Sequence, residues 1–240
     1  MPKRTPKPSV DSCRDCPQRQ HSSWQLLSDA ELAQIDRARR VVRCDQGDVL
    51  FEQGDAGVDV YCVRSGTVAV RRTDAEGNSV TLGLHYPGDL VGHDSVVAGS
   101  EHRAEAEAVQ PSTLCVIESE AVTGALARNP ALAREMLRRS GAELDRARDA
   151  LVRVATLSTR DRLLALLLDL MTRHGEAQPD GSVRLSLPLA RRDLASMIGI
   201  RHETLSRLIA RVEAEGLARF SGRQVVVPSR QALAAAVRRE

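Results

Sequence analysis

Apolar and polar positions follow three different periods along the chain. Short runs rich in Val and Thr, such as "VLFEQ", "VDVYCVRSG", "TVAVRRT", "SVTLGLHY" and "STLCVIES", fill the region from Val41 to Ile117 and are separated by Gly-containing turns. Several short strands with turn signals between them indicate an all-β sandwich or barrel. A short amphipathic helix is predicted before the strands, because Ser28 and Glu31 in "LLSDAELAQIDRA" have the spacing of a capping box.

From Pro130 to about Ser158 the period becomes that of one long helix. Leucines recur at every seventh position, smaller residues stand between them, and the flanks are charged. The stripe consists of Leu137, Ser140, Leu144, Ala147, Leu151 and Val154. A heptad stripe of this kind predicts a homodimer seam. The alternative is a helix that packs on its own β domain.

The C-terminal region has a third pattern. "RDRLLALLLDLMTRHG" predicts an apolar helix that ends at Gly175. "RDLASMIG" and "RHETLSRLIARVEAEG" predict two further helices with a tight turn at Gly199, followed by a hairpin that turns at "SGR". The inward faces of these two helices carry Leu194, Ile198, Leu205, Leu208, Ile209 and Val212. This is the pattern of a winged helix-turn-helix.

One face of the last long helix carries side chains that read DNA bases. Glu203, Ser206 and Arg207 share that face at i, i+3 and i+4. Arginine donates to guanine, glutamate accepts from cytosine, and a serine hydroxyl suits either role. Basic residues suited to phosphate contacts are Arg201, His202, Arg219 and Arg223. The alternative is a Glu203–Arg207 salt bridge on a solvated helix.

The distribution of charge agrees with DNA binding. From Arg184 onward eleven Arg stand against five acidic residues, a charge of +6; the overall charge is +2, so −4 remains for the rest. A basic C-terminal part is the electrostatic footprint expected of a nucleic-acid-binding segment.

Other classes of protein find no support in the sequence. The longest apolar run, Leu163 to Met171, is shorter than the ~20 residues of a membrane span. The basic, Pro-rich start has no apolar stretch of the signal-peptide type after it. No nucleophile–base pair or Gly-rich phosphate loop stands out, so we expect a cytoplasmic protein that is neither an enzyme nor a membrane protein.

"VRSGTVAV", "PGDLVGHDS" and "RRDLASMIGIRHETLSRL" resemble, in this order, signatures of the CRP/FNR family of bacterial transcription regulators. The resemblance covers nearly the whole chain and implies an α+β fold with a cyclic-nucleotide-binding-like β-roll (jelly roll), a long dimerisation helix and a C-terminal winged helix-turn-helix. The expected parts are a cysteine-containing arm at 1–24, a β-roll sensor domain at 25–129, the dimerisation helix at 130–158 and the DNA-binding domain at 159–240.

Glu203, Ser206 and Arg207 resemble the FNR branch of the family, whose members read TTGAT-type half-sites arranged as a palindrome. The resemblance therefore implies a homodimer on double-stranded DNA, with RNA polymerase as a further partner. Some oxygen-labile members carry a charged residue in the seam where this chain has Ala147. An apolar seam predicts a dimer that persists without a cofactor.

The N-terminal cysteines resemble those of oxygen-sensing FNR proteins. Cys13 and Cys16 match the Cys-x-x-Cys pair, and Cys115 in "TLCVIES" matches a distant cysteine of the β-roll. The resemblance implies a [4Fe–4S] cluster, which normally takes four thiolates. Ser22 stands where the third arm cysteine is expected. His21, beside this gap, is therefore the expected fourth ligand.

Alternatives for "CRDC" stay open. In the first, Asp11 or Asp15 supplies an oxygen ligand in place of His21. In the second, Cys13 and Cys16 form a thiol switch or a zinc site. In the third, the motif is a relic without function. Cys44 and Cys62 match no ligand of the family and are expected to be buried apolar residues.

Neither a cyclic nucleotide nor haem is expected. His93 and Ala104 stand where CRP-type relatives carry the Glu and Ser that hold cyclic AMP, and only Arg103 remains. His93 and His85 raise haem as an alternative, but a lone His on a β-roll is more often structural.

Overall fold

A computed structural model describes residues 12–237. The chain divides into two compact units, one up to Leu144 and one from Asp145 onward. The division falls inside one long helix, so the expected boundaries of arm, sensor and dimerisation helix do not coincide with it. No described helix is both long enough and apolar enough to cross a membrane.

The first unit is built from two four-stranded antiparallel sheets, which confirms the β-roll. Its strands are β1 (Arg39–Cys44), β2 (Val49–Phe51), β3 (Asp59–Ser65), β4 (Val68–Thr73), β5 (Ser79–His85), β6 (Leu90–Val91), β7 (Glu105–Ala108) and β8 (Ser112–Glu118). One sheet has the order β1-β8-β3-β6 and the other β2-β7-β4-β5. The predicted strands at 49–53, 58–66, 67–73, 79–86 and 112–119 are all present.

Three helices pack on this unit: α1 (Asp29–Arg37), α2 (His93–Ala98) and α3 (Ser119–Arg128). The predicted capping box is confirmed, because Ser28 Oγ accepts from the backbone N–H of Glu31 while the Glu31 carboxylate accepts from the backbone N–H of Ser28. Between Ser12 and α1 the arm forms two short 3-10 helices, Arg19–His21 and Ser23–Leu26.

The long helix α4 (Pro130–Thr156) begins in the first unit and continues into the second. Only its first turns pack inward, since Leu132 and Met136 are buried in the β-roll core. Farther along, the leucines of the stripe are exposed: Leu137 by 74%, Leu144 by 51% and Leu151 by 69%. Packing on its own β domain therefore accounts for the start of the helix only.

The second unit contains the winged helix-turn-helix. Its elements are α5 (Thr159–His174), β9 (Gly175–Ala177), β10 (Val183–Ser186), α6 (Arg191–Met197), α7 (His202–Ala214), β11 (Arg219–Ser221), β12 (Gln224–Val227) and α8 (Arg230–Ala236). The order of the sheet is β11-β12-β10-β9. All six apolar residues predicted to face inward are buried.

Candidate functional site

Four of the five cysteines line one pocket between the arm and the β-roll, which we call the cysteine pocket. Cys13 and Cys16 come from the arm, Cys62 from the middle of β3 and Cys115 from β8. Cys62 and Cys115 are partners in the antiparallel register of the two strands. Residues opposite each other in a sheet project from the same face, so both sulfurs face the arm. Cys44 belongs to a separate apolar cluster.

Cations and one large aromatic ring complete the wall of the pocket. Arg19, Arg39 and Arg64 line it together with Trp24. The space enclosed, including the open mouth, is about 420 Å³. The guanidinium of Arg39 is paired with Asp36, and that of Arg19 donates to the backbone carbonyl of Leu27.

A chain of contacts ties the arm to the sheet behind the sulfurs. The backbone N–H of Cys13 donates to Asp36 Oδ1 at 2.9 Å, and the same carboxylate oxygen accepts from Arg39 Nε. Arg39 Nη1 in turn donates to Cys115 Sγ at 3.9 Å. Burial alone would raise the pKa of Asp36, but the hydrogen bonds from Arg39 and Cys13 outweigh it and lower the pKa to about 2. The carboxylate therefore stays ionised and holds both partners in place.

Burial raises the pKa of three of the pocket thiols. It raises the pKa of Cys13 to about 12, although the nearby Arg39 opposes the shift. Burial also raises the pKa of Cys62 and of Cys115, in the latter case against the same arginine. A protonated thiol is a weak nucleophile, whereas a metal displaces the proton as it binds. The pocket is thus poorly suited to unassisted thiol chemistry and compatible with metal ligation.

Trp24 anchors the arm and brings a hydrogen-bond donor to the pocket. The ring is 5% exposed and packs in the same apolar cluster as Cys62, Cys115, Leu132 and Met136. Its buried Nε1–H donates to no acceptor within residues 12–237. Burial raises the pKa of Cys62, and the indole of Trp24 acts weakly in the opposite direction. A thiolate or sulfide in the pocket would supply the missing acceptor.

Four thiols line the cysteine pocket, although among the described residues no three His, Cys, Asp or Glu side chains are grouped closely enough to hold one metal ion. In a [4Fe–4S] core each iron takes its own thiolate, so the four ligands surround a group of atoms rather than a point. Four thiols around one pocket are the donors that such a core requires.

Other expected ligands lie elsewhere. The structure does not bring His21 to the cysteine pocket: its side chain is exposed and does not line the wall. Ser22 does line the pocket, Asp15 is exposed, and Asp11 lies outside the described residues. Neither His85 nor His93 lines it.

The arm also contacts the long helix. Arg139 Nη2 donates to the backbone carbonyl of His21 at 2.8 Å, while Arg139 Nε donates to Glu135 at 2.9 Å. On the other side the arm passes over Gly88, which has φ +97° and where a Cβ would lie 3.1 Å from the Cβ of His21. Only glycine suits both the backbone angle and this close approach. The residue next to Ser22 is therefore fixed to α4.

The predicted base-reading face is exposed on α7. Glu203, Ser206 and Arg207 are exposed, whereas Leu205 and Leu208 on the opposite side are buried. No ion pair within residues 12–237 joins Glu203 to Arg207, so the salt-bridge alternative finds no support. Arg201 and His202 stand exposed at the start of the helix, and the half-buried Arg223 and the exposed Arg219 flank the wing hairpin.

Cys62 is buried, as predicted, but sequence reasoning did not place it in the wall of the pocket. It also missed Trp24 and Arg39 as lining residues, and Asp36 as the carboxylate that holds Cys13 and Arg39. The available signal was the missing third arm cysteine together with a cysteine in the centre of each of two strands, β3 and β8. Because strands far apart in sequence pair in the fold, that signal becomes visible only once β3 and β8 are known to be neighbours.

Comparison with known proteins finds a family match in each of the two units. Residues 41–129 match the family described as a cyclic nucleotide-binding domain, and residues 161–236 match the Crp-like helix-turn-helix domain. The fumarate and nitrate reduction regulatory protein of Salmonella typhimurium is 30% identical over 225 residues, 93% of this chain and 89% of that protein. Its Escherichia coli K12 counterpart is 30% identical over 92% of this chain and 88% of that protein.

Solved structures share the fold. FixK2 from Bradyrhizobium japonicum superposes with a TM-score of 0.75 at 25% identity, covering 84% of this chain and 98% of that one. A CooA mutant from Carboxydothermus hydrogenoformans superposes with a TM-score of 0.73 at 20% identity, covering 97% of this chain and 98% of that one.

Proposed function

The chain belongs to the CRP/FNR family of DNA-binding transcription regulators, and from this premise we propose that it reads an FNR-type palindrome as a homodimer and senses oxygen or nitric oxide through an iron–sulfur cluster. The observation that carries the sensing part is the cysteine pocket, where thiols from the arm and from the sheet meet. The exposed face of α7 supports the DNA part.

In the DNA part, α7 enters the major groove and its first turns contact base edges. Glu203, Ser206 and Arg207 read a TTGAT-type half-site, while Arg201, His202 and Arg223 contact phosphates. The exposure of these side chains and the absence of a described ion pair between Glu203 and Arg207 support this assignment, because a side chain free of internal partners keeps its donors or acceptors for a base.

The homodimer forms along α4. Its seam consists of Leu137, Ser140, Leu144, Ala147, Leu151 and Val154. The support is the exposure of the large members of this stripe, since a row of exposed leucines on one helix face is covered in a soluble coiled coil. Two copies of α7 then stand about 34 Å apart, one DNA turn, and each reads half of the palindrome.

In the sensing part, Cys13, Cys16 and Cys115 hold the cluster. A bound cluster supplies reactivity toward oxygen and nitric oxide that amino-acid side chains lack. The protein holds the arm against the sheet through Cys13, Asp36 and Arg39, and it shields the sulfurs behind Trp24. The meeting of four cysteines around one pocket supports ligation of such a cluster there.

The signal reaches the dimer helix through two contacts of the arm. Trp24 shares an apolar cluster with Leu132 and Met136 of α4. The carbonyl of His21 accepts from Arg139 one turn farther along. A movement of the arm thus changes the contacts of the α4 segment that precedes the exposed leucines. The dimer interface along α4 then has two states, as in other molecular switches.

The proposal is tested by purification without oxygen, followed by iron and acid-labile sulfide analysis and DNA titration before and after exposure to air. We expect about four irons per chain, their loss in air, and a lower affinity for the TTGAT palindrome afterwards. Iron-free protein whose DNA affinity is the same with and without oxygen would contradict the proposed sensing. The protein would then be a DNA-binding regulator that does not respond to oxygen.

An Arg139→Ala variant is expected to keep its iron but to lose the dependence of DNA affinity on oxygen, because the arm is no longer held to α4. The ratio of anaerobic to aerobic affinity should fall toward one. Arg138→Ala is the matched control: Arg138 pairs with Glu135, is 66% exposed and makes no described contact with the arm. Equal ratios in the wild type and in Arg139→Ala would show that the arm does not signal through this contact.

A further inference from the structure

We infer that Cys62 is the fourth ligand of the cluster, in the place of the arm cysteine that Ser22 replaces. This inference rests on the proposed function and deepens it. The chain then distributes its ligands as two from the arm, Cys13 and Cys16, and two from adjacent strands, Cys62 and Cys115.

The first support is position. Cys62 lies in the middle of β3 and faces its register partner Cys115 of β8. Both side chains border the pocket, and both belong to the apolar cluster against which Cys13 packs. A ligand pair at opposite positions of two hydrogen-bonded strands is held by the sheet itself and needs no further ordering when a metal group binds.

The second support is that the described residues lining the pocket include no competing thiol, imidazole or carboxylate. Among the residues that line it, all in the described part of the chain, Cys62 is the only thiol besides the three that match the FNR pattern, and no histidine or carboxylate is among them. The hydroxyl of Ser22 donates to the backbone carbonyl of Arg19 at 3.0 Å. His21 turns its side chain to solvent and its carbonyl to Arg139.

The third support is the surroundings of the sulfur. Cys62 is 7% exposed, in a site without a carboxylate in the wall. Trp24 lines the same pocket and packs in the same apolar cluster as Cys62, and its buried N–H has no acceptor among the described residues. When the sulfur–iron bond forms, the S–H bond breaks and the proton leaves to water, as for the other three cysteines.

Cys62→Ala, with and without Ser22→Cys, tests the inference in full-length protein purified or reconstituted without oxygen. Cys44→Ala is the matched control, because Cys44 is also a buried strand cysteine but lies in the other cluster of the β-roll. Iron and acid-labile sulfide per chain and the absorbance near 400 nm are the readouts. Circular dichroism and DNA binding in air show that each variant is folded.

We expect Cys62→Ala to lose the iron, Cys44→Ala to keep it, and Ser22→Cys to restore it in the Cys62→Ala background, since Ser22 also lines the pocket. Loss of iron that Ser22→Cys does not restore would show that Cys62 acts by packing, and would overturn the inference. Wild-type iron content in Cys62→Ala, with loss in Cys13→Ser, would overturn it while the sensing function stands. Iron-free wild-type protein would overturn both.

Discussion

An Arg207→Ala variant is expected to lose most of its discrimination between a TTGAT palindrome and one substituted at the contacted base pair. Arg207 is exposed on α7, and no ion pair in the described part of the chain holds it to Glu203. A lost bidentate base contact costs ~1–3 kcal/mol. Two copies in the dimer give ~2–6 kcal/mol, or about 30-fold to about 20,000-fold in the ratio of affinities. Competition between the two DNA sequences at one fixed salt concentration measures this ratio.

Arg201→Ala is the matched control for Arg207→Ala. Arg201 stands exposed at the N-cap of the same helix, where a phosphate contact is expected. Its loss should weaken binding to both DNA sequences equally and reduce the salt dependence by about one counterion per protomer. If Arg207→Ala keeps the wild-type ratio between the two sequences, the assignment of the base-reading face is wrong.

A Leu144→Asp variant is expected to be largely monomeric at concentrations where the wild type is a dimer. Leu144 lies in the middle of the stripe and is 51% exposed in the single chain. Burying a leucine contributes ~1.5–3 kcal/mol, and the seam contains two copies. Because Leu144 is only about half exposed in the single chain, the two copies together contribute about 1.5–3 kcal/mol. The dimerisation constant should therefore fall by at least ~10-fold, before the added cost of placing two like charges together. Analytical ultracentrifugation of wild type and variant measures the change.

Leu82→Asp separates loss of the seam from a general effect of the substitution. Leu82 lies on β5 of the β-roll and is 58% exposed, so the same charge enters a comparable surface position away from α4. This control should stay dimeric. A Leu144→Asp protein with the wild-type dimerisation constant would place the seam outside the predicted stripe.

In the second unit α5, α6, α7 and the hairpin of β11 and β12 could be predicted because their signals are local, whereas β9, β10 and α8 were not predicted. Buried positions of α6 and α7 recur at the helical period, and the turn between them requires the positive φ of Gly199, which is +68°. Strands β2, β3, β4, β5 and β8 could be predicted because their runs of β-forming residues lie between turn signals, whereas β1, β6 and β7 were not predicted. In both cases neighbours in sequence carry the information.

The cysteine pocket could be predicted only in part because its members are distant in sequence. The resemblance to FNR proteins led to Cys13, Cys16 and Cys115, but Cys62 fits an ordinary strand pattern in which small apolar residues face a core. Whether such a face meets a core or a pocket depends on the strand order, which places β3 beside β8. In the structure one buried ring, Trp24, anchors the arm to the sheet.

The position of Trp24 has an optical consequence. It is the only tryptophan of the chain, with two tyrosines beside it in the whole sequence, so the near-ultraviolet emission of the protein comes mainly from one wall of the cysteine pocket. A buried indole emits at short wavelength, and its emission moves to longer wavelength when water reaches it. A coloured group in the pocket would quench that light. The same side chain therefore gives the protein a built-in fluorescent reporter of whether the arm is closed on the sheet.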